Sequence, residues 1–136
     1  MIEERQLVQA ALNMRKQSYA PYSHFTVGAA LLSESGKLYT GCNVENAAFT
    51  PTNCAERTAF FKAVSEGETR FQAIAIAGGK EGKEPDDYCA PCGVCRQVMK
   101  EFCKEDFKII LVKNEKDVKT FTLGELLPEG FGPNNL

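Results

Sequence analysis

The chain has 136 residues, of which 43% are hydrophobic and 25% charged, and its net charge is −2. A chain of this length folds around one core, so we predict a single domain over residues 1–136. The lysines form no basic block, which argues against nucleic acid as a partner and favours a small substrate. Apolar runs fall far short of the roughly 20 residues of a membrane helix, and the charged start of the chain is unlike a signal peptide, so we expect no membrane partner and a cytoplasmic protein.

The first half of the chain predicts a helix, a hairpin and a second helix. The predicted bounds are a helix over residues 3–19, strands over 25–32 and 37–44, and a helix over 54–65. Apolar residues at helical spacing indicate the first helix, which Pro21 ends. Turn residues between the two strands indicate a hairpin, and Thr52 or Asn53 is the expected cap of the second helix.

The second half alternates strands and helices. The predicted bounds are a strand over residues 71–77, a loop over 78–88, a helix over 91–103, strands over 107–112 and 118–121, and a short helix over 123–127. Pro91 suits the first turn of its helix. The short link at 114–117 permits only an antiparallel hairpin, because a parallel crossover needs about a dozen residues or more. This order predicts an α/β fold with three α/β/α layers around a mixed five-stranded sheet.

Three cysteines are placed for a metal site. Cys92 and Cys95 stand at i and i+3 at the start of one predicted helix, and Cys54 begins another. Backbone N–H groups at a helix start favour thiolates, the form that binds metal. Three sulfur ligands suit zinc and leave one position for water, whereas a structural zinc site is usually closed by a fourth ligand. A Cys-x-Glu helix start followed by Pro-Cys-x-x-Cys is typical of zinc deaminases, in which the glutamate, here Glu56, is not a ligand.

Other interpretations of the cysteines remain open at this point. A Cys-x-x-Cys motif in a cytosolic protein is also consistent with a redox-active pair or with two buried thiols. Cys89 forms a competing pair with Cys92 but precedes Pro91, so we interpret it as a loop thiol outside the ligand face. Cys42 and Cys103 are expected in the core. A fourth-ligand role for Cys89 or for His24, the single histidine, would make the site structural.

The sequence resembles the cytidine deaminase family in its small homotetrameric form, and the resemblance covers nearly the whole chain. The segments that carry it are Tyr19-Ala20-Pro21-Tyr22-Ser23, Phe25-x-Val27-Gly28-Ala29-Ala30, Gly41-Cys42-Asn43-Val44-Glu45-Asn46-Ala47, Cys54-Ala55-Glu56-Arg57, Pro91-Cys92-Gly93-Val94-Cys95-Arg96-Gln97, and Leu126-Leu127-Pro128 with Phe131. The closing hairpin also resembles this branch, and differs from relatives that act on tRNA or single-stranded DNA.

The resemblance implies an activity and a set of site residues. It implies zinc-dependent deamination of cytidine and 2′-deoxycytidine to uridine and 2′-deoxyuridine with release of ammonia, as in pyrimidine salvage, by a homotetramer. The implied substrate contacts are the ribose hydroxyls for Asn43 and Glu45, the pyrimidine for Phe25, the base for the backbone of Ala55, and a neighbouring subunit's base pocket for Phe131.

Charge and proton transfer complete the predicted site. Zn²⁺ acidifies its bound water, and Glu56, two residues after a ligand, is placed to accept that proton and pass it on. Three thiolates leave the site with net negative charge. We expect Arg57 and Arg96, each adjacent to a ligand, to hydrogen-bond the sulfurs and withdraw charge.

Two departures and two rival functions follow from the sequence. Phe49 stands where the family often has tyrosine, and the loop over residues 78–88 is long for the family. A structural zinc module that binds a partner would not need Glu56. A blasticidin-type or other small-molecule deaminase shares the metal residues, and only its substrates separate it from a nucleoside deaminase.

Overall fold

The computed structural model describes residues 2–136. The sheet consists of β1 (Phe25–Ser33), β2 (Leu38–Cys42), β3 (Phe71–Lys80), β4 (Lys108–Asn114) and β5 (Asp117–Thr122). The helices are α1 (Glu4–Met14), α2 (Ala55–Ser65), α3 (Gly93–Phe102) and α4 (Leu123–Leu126), and short 3-10 turns lie at Arg15–Gln17 and Pro133–Asn135.

The sheet is mixed, with strand order β2-β1-β3-β4-β5. β3 and β4 pair in parallel and are joined through α3, whereas the other neighbouring strands pair antiparallel. The predicted five-stranded mixed sheet and its closing hairpin are therefore confirmed. β1 begins at the same end of the sheet at which β2 and β3 finish, and α2 and α3 start near this end.

Side chains alternate between two packed faces of the sheet, as the two-residue period of a strand requires. On β1, Ala29 and Leu31 face the cluster that contains α2 and α3, whereas Ala30 and Leu32 face the cluster that contains α1. Aromatic packing centres on Phe60 of α2, which is fully buried. Helices thus cover both faces, and the predicted three-layer architecture is confirmed.

Several predicted bounds are wrong at their ends. The predicted loop at 78–88 begins too early, because β3 continues to Lys80, which pairs with Phe25 of β1. Its two glycines are poor strand formers, but the pairing with β1 outweighs this local preference. The second strand stops at Cys42, and Val44 makes only isolated bridges. The first helix stops at Met14 and continues as a 3-10 turn.

The caps of the two site helices also differ from prediction. Cys54 is the N-cap of α2, and the side chain of Asn53 donates to the Thr58 hydroxyl instead of capping the helix. Cys92 is the N-cap of α3, so Pro91 precedes the helix and does not lie in its first turn. Cys54 and Cys92 therefore both occupy the cap position itself.

Gly41 allows α2 to lie directly against β2. A Cβ atom at this position would be 2.4 Å from the carbonyl oxygen of Ala55 and 2.6 Å from the amide nitrogen of Ala59. Both contacts are with backbone atoms, which cannot move aside without shifting the helix. The close approach fixes the distance between β2 and the first turn of α2, which carries Glu56.

None of the helices in residues 2–136 combines the length and the apolar character that crossing a membrane requires.

Candidate metal centre and active site

The structure brings the three predicted ligands together. The sulfur atoms of Cys54, Cys92 and Cys95 all lie within 4.8 Å of one another, and the Cys54 and Cys92 sulfurs are 3.8 Å apart. A disulfide would require about 2 Å. Tetrahedral zinc with bonds of about 2.3 Å to sulfur places its ligands roughly 3.8 Å apart. This donor set and spacing fit zinc.

Helix geometry explains why the thiols converge. Cys54 and Cys92 are N-cap residues, and Cys95 lies in the first turn of α3 and is buried. The unpaired N–H groups and the positive end of the helix dipole favour negative charge at these positions. The positive electrostatic potential at two helix starts therefore stabilises the negative charge of the clustered thiolates.

The thiols of the cluster hydrogen-bond one another. A hydrogen bond from Cys95, aided by Arg57, lowers the pKa of Cys54 to about 5, while the same hydrogen bond and burial raise the pKa of Cys95. The lowered pKa of Cys54 favours its thiolate at neutral pH. A thiolate is the form that a soft divalent metal binds.

Glu56 lies beside the thiols in a buried position. Its side chain is only 4% exposed. Burial, followed by the negative charge of Cys54, raises the pKa of Glu56 to about 7, although hydrogen bonds to the carboxylate oppose the shift. A carboxyl group with a pKa near neutrality can both accept and release a proton at physiological pH. These are the properties of a proton shuttle.

Arg57 hydrogen-bonds the sulfur cluster. Arg57 donates from Nη2 to the sulfur of Cys54 at 3.2 Å. Burial disfavours its charged form, but hydrogen bonds to Cys54 and Cys95 outweigh this effect and raise the pKa of Arg57. The Nε of Arg57 is buried and has no partner within residues 2–136.

Arg96 does not hydrogen-bond the sulfurs, so that prediction is wrong. Its Nε donates to the carbonyl oxygen of Pro91 at 2.7 Å, and its Nη1 donates to the carbonyl oxygen of Leu126 at 2.6 Å. The side chain therefore joins the loop before α3 to the end of α4. Adjacency to Cys95 in sequence did not give the direction of the side chain.

Cys89 lies in a loop and outside the sulfur cluster, as predicted, and it is half-buried. Burial, followed by the negative charge of Glu56, raises the pKa of Cys89 to about 12. A Cβ atom built on Gly78 would be 2.7 Å from its sulfur and 3.0 Å from Cε2 of Phe25. Cys89 and the ring of Phe25 therefore both pack against Gly78 of β3, where the thiol is neutral.

Comparison with known proteins gives the family. Residues 1–111 match the family model described as the cytidine and deoxycytidylate deaminase zinc-binding region. The chain belongs to the cytidine deaminase family. Cytidine deaminase of Sporosarcina psychrophila is 45% identical over 135 residues, which is 99% of this chain and 96% of the relative. The probable cytidine deaminase of Dictyostelium discoideum is 42% identical over 98% of this chain and 87% of its own length.

Solved structures agree with this assignment. Cytidine deaminase of Burkholderia pseudomallei has a TM-score of 0.86 at 45% identity, with 96% of this chain and 100% of that chain covered. The enzyme of Mycobacterium tuberculosis has a TM-score of 0.80 at 34% identity, with 97% and 99% covered. The cytidine deaminase fold and its zinc-binding region therefore extend over this chain.

Of the two residues predicted to bind the sugar, Asn43 is buried. Its Oδ1 accepts from the amide of Val27 at 2.9 Å, and its Nδ2 donates to the carbonyl oxygen of Phe25 at 2.8 Å. The amide still has one N–H and one lone pair free, since it offers two donors and two acceptor sites. Asn43 thus holds the start of β1 and keeps hydrogen-bonding capacity for a ligand.

Glu45 organises the loop before β1. One oxygen accepts from the amides of Tyr22 and Ser23 at 3.0 and 3.1 Å, and the other accepts from the Ser23 hydroxyl. The Ser23 hydroxyl is the main cause of the lowered pKa of Glu45. The carboxylate is therefore ionised and held in one place at the open end of the sheet.

The remaining assigned residues differ in exposure. Phe25 is 39% and Phe131 59% exposed, whereas Ala55 is fully buried in the first turn of α2. Phe49, at the departure from the family, is 71% exposed and contacts Tyr22 edge to face with ring centroids 6.1 Å apart. Phe49 therefore makes an aromatic contact at the position where the sequence resemblance implied a tyrosine.

Two residues of the site region were not given a role by the sequence analysis. Ser23 orients Glu45, and Gln97 donates from Nε2 to the carbonyl oxygen of Phe131 at 2.8 Å. Both lie inside segments that carry the family resemblance, which is the signal that marked them. Their partners are 22 and 34 residues away in sequence, so the pattern alone did not give the contacts.

Proposed function

We propose that this protein catalyses the hydrolytic deamination of cytidine and 2′-deoxycytidine to uridine and 2′-deoxyuridine with release of ammonia. The observation that carries the proposal is the buried carboxyl group of Glu56, which lies beside a cluster of three thiols. Burial raises the pKa of this group to about 7. A structural zinc module has no need of such a group. The same reaction would place the enzyme in pyrimidine salvage.

Cys54, Cys92 and Cys95 would hold the zinc ion through their sulfurs. With three protein ligands, a tetrahedral ion keeps one position for water. When bound, zinc supplies Lewis acidity, which lowers the pKa of a water in that position to about 7. Arg57 offsets the charge of the thiolates through its hydrogen bond to Cys54.

Glu56 moves the protons. It accepts one from the attacking water while the water oxygen adds to C4 of the cytosine, and it passes that proton to N3. It then takes the second proton from the new hydroxyl and delivers it to the amino group. The bond between C4 and the amino nitrogen breaks, ammonia leaves, and the C4 carbonyl of uridine forms.

The substrate residues follow from the family and from their positions. Asn43 and Glu45 would bind the ribose hydroxyls, because an amide and a carboxylate offer the donors and acceptors that hydroxyls require. The ring of Phe25 would contact the pyrimidine. The backbone of Ala55 would bind the base.

We further propose a homotetramer in which Phe131 contacts a neighbouring subunit's base pocket. The exposed aromatic rings of Tyr22, Phe49 and Phe131 support this assembly, since large apolar groups in such positions mark interaction surfaces. We also propose a cytoplasmic enzyme without nucleic-acid or membrane partners; the net charge of −2 and the lack of a basic block argue against a nucleic-acid partner.

An ultraviolet assay of cytidine loss tests the activity. We expect turnover by the zinc-loaded protein, loss after chelation and recovery after addition of zinc. A panel with cytosine, deoxycytidine and blasticidin-type compounds separates the proposed substrate class from other small-molecule deaminases. Zinc-loaded protein that leaves cytidine unchanged would overturn the proposal.

A monomer–tetramer comparison tests the assembly. Sedimentation at the assay concentration should give a tetramer, and Phe131→Ala should weaken cytidine use while zinc remains bound. A fully active monomer would contradict the role of Phe131.

A further inference from the structure

The C-terminal segment, residues 127–136, is built onto α3 and is not a loose end. Glu129 adopts a φ of 55° directly after Pro128, which turns the chain back after α4. Gly132 is buried, and a Cβ atom there would be 2.9 Å from Cγ of Lys100. The amide of Gly132 donates to Oδ1 of Asn135 at 2.8 Å. Chain ends are poorly ordered unless they are held in this way.

Gln97 makes a side-chain contact with the backbone of Phe131 itself. Its Nε2 donates to the carbonyl oxygen of Phe131 at 2.8 Å. The ring of Phe131 nevertheless remains 59% exposed. The backbone is therefore fixed while the aromatic ring is presented outward, which is the arrangement expected for a group that fills a site outside its own chain.

The position of Gln97 separates it from the metal ligands. Cys95 is 1% exposed, whereas Gln97, two residues later on α3, lies on the exposed side of the helix. Replacement of Gln97 leaves the thiols and their hydrogen bonds in place. Arg96 also reaches the C-terminal region, through Leu126, but it holds Pro91 as well, so its replacement would disturb both regions.

We propose that Gln97 is a positioning residue that sets the orientation of Phe131 and so the affinity for the nucleoside. The proposal rests on the proposed function, in which Phe131 completes a neighbouring subunit's base pocket. A held backbone reduces the entropy lost when the ring is immobilised against a substrate. Loss of the hydrogen bond from Gln97 should therefore weaken binding without changing the chemical step.

The test uses Gln97→Met, which keeps the length of the side chain but cannot donate, and Gln97→Glu, which stays polar but cannot donate as a carboxylate. We expect each to raise KM for cytidine roughly 2- to 10-fold, the range for one net hydrogen bond, with kcat within about twofold of wild type. Zinc content and the circular dichroism spectrum should not change. Glu101→Met is the matched control, because Glu101 lies one turn further on α3 and is exposed; it should leave KM unchanged.

A double-mutant cycle with Phe131→Ala decides whether Gln97 acts through the ring. In the Phe131→Ala background, Gln97→Met should have little further effect, because nothing remains to be oriented. If Phe131→Ala raises KM but neither Gln97 variant does, or if the two effects add, the positioning proposal is overturned and the proposed function stands. If Phe131→Ala leaves KM unchanged, both the assignment of Phe131 and this proposal fail. Absence of cytidine turnover by the wild-type protein would overturn the proposed function and this proposal together.

Discussion

The cysteine cluster, or metal end, and the proposed sugar end, formed by Asn43 and Glu45, lie at one end of the sheet but are organised by different means. Two helix starts hold the three thiols. Cys92 and Cys95 lie at the start of α3, and Cys54 caps α2. Asn43 and Glu45 instead use their side chains to hold the backbone between residues 22 and 27. The metal end is thus fixed by local structure, whereas the proposed sugar end is fixed by hydrogen bonds from the side chains of Asn43 and Glu45 themselves.

This difference predicts how each end should respond to mutation. A ligand at the metal end has one role, so its loss should remove the ion and leave the fold. A residue at the sugar end has two roles, so its loss should affect both affinity and the order of the loop. The four predictions below test this contrast.

The largest effect is expected for Cys92→Ala. Removal of one of three ligands should reduce zinc from about one ion per chain to a small fraction, with loss of cytidine turnover. Elemental analysis of the dialysed protein measures it. Cys89→Ala is the matched control and should keep its zinc, because Cys89 lies outside the cluster. The reverse pattern would show that the ligand set is wrong.

Glu56→Gln should cost roughly a hundred- to ten-thousandfold in kcat, the range for general acid–base catalysis, while zinc stays bound. The amide keeps the size of the side chain but cannot carry the protons. The measurement is cytidine turnover beside zinc content in one preparation. Glu66→Gln, at the exposed end of the same helix, should be close to wild type. Activity within a few fold of wild type at full zinc content would contradict the mechanism.

Glu45→Ala should raise KM for cytidine roughly 5- to 100-fold, which corresponds to about 1–3 kcal/mol for lost hydroxyl contacts. Cytosine, which lacks ribose, should be a poor substrate for the wild-type protein. Ser23→Ala removes the hydroxyl that donates to Glu45 and accepts from the amide of Phe25 at 3.1 Å, but it keeps the carboxylate, so it should have a smaller effect. Equal effects of Ser23→Ala and Glu45→Ala would indicate that Glu45 acts only through the loop.

Arg57→Gln should have the smallest effect, because it leaves all three ligands in place. We expect release of zinc to a chelator about tenfold faster, in the range found for residues that hydrogen-bond metal ligands. Arg96→Gln should change the release less, since Arg96 donates to carbonyl groups and not to sulfur. Faster release in Arg96→Gln than in Arg57→Gln would reverse the assignment of the two arginines.

Most of the fold was predictable from the sequence because its signals are local. Short apolar runs and the turn residues between them indicated the strands, and the short link at 114–117 required the closing hairpin. The spacing of Cys92 and Cys95 predicted two of the ligands, and their convergence with Cys54 is confirmed by the structure. These features depend on residues that are close in sequence or on helix periodicity.

What the sequence did not give depends on distant partners. β3 extends to Lys80 because it pairs with β1, and the two glycines there hide the strand signal. The side chain of Arg96 binds Leu126, 30 residues away, although its neighbour Cys95 suggested a sulfur contact. The caps were missed for another reason: Thr52 and Asn53 are preferred cap residues, but tertiary packing places Cys54 at that position.

The absence of a side chain at Gly41 has a consequence for engineering. Because backbone atoms of α2 lie within 2.6 Å of the space that a Cβ atom would occupy, any larger residue would shift the first turn of the helix as a unit. Cys54 and Glu56 would then move together, so the ligand and the proton carrier cannot be adjusted separately from this side of the sheet. A library that seeks new substrates should keep position 41 constant and vary the open end of the site.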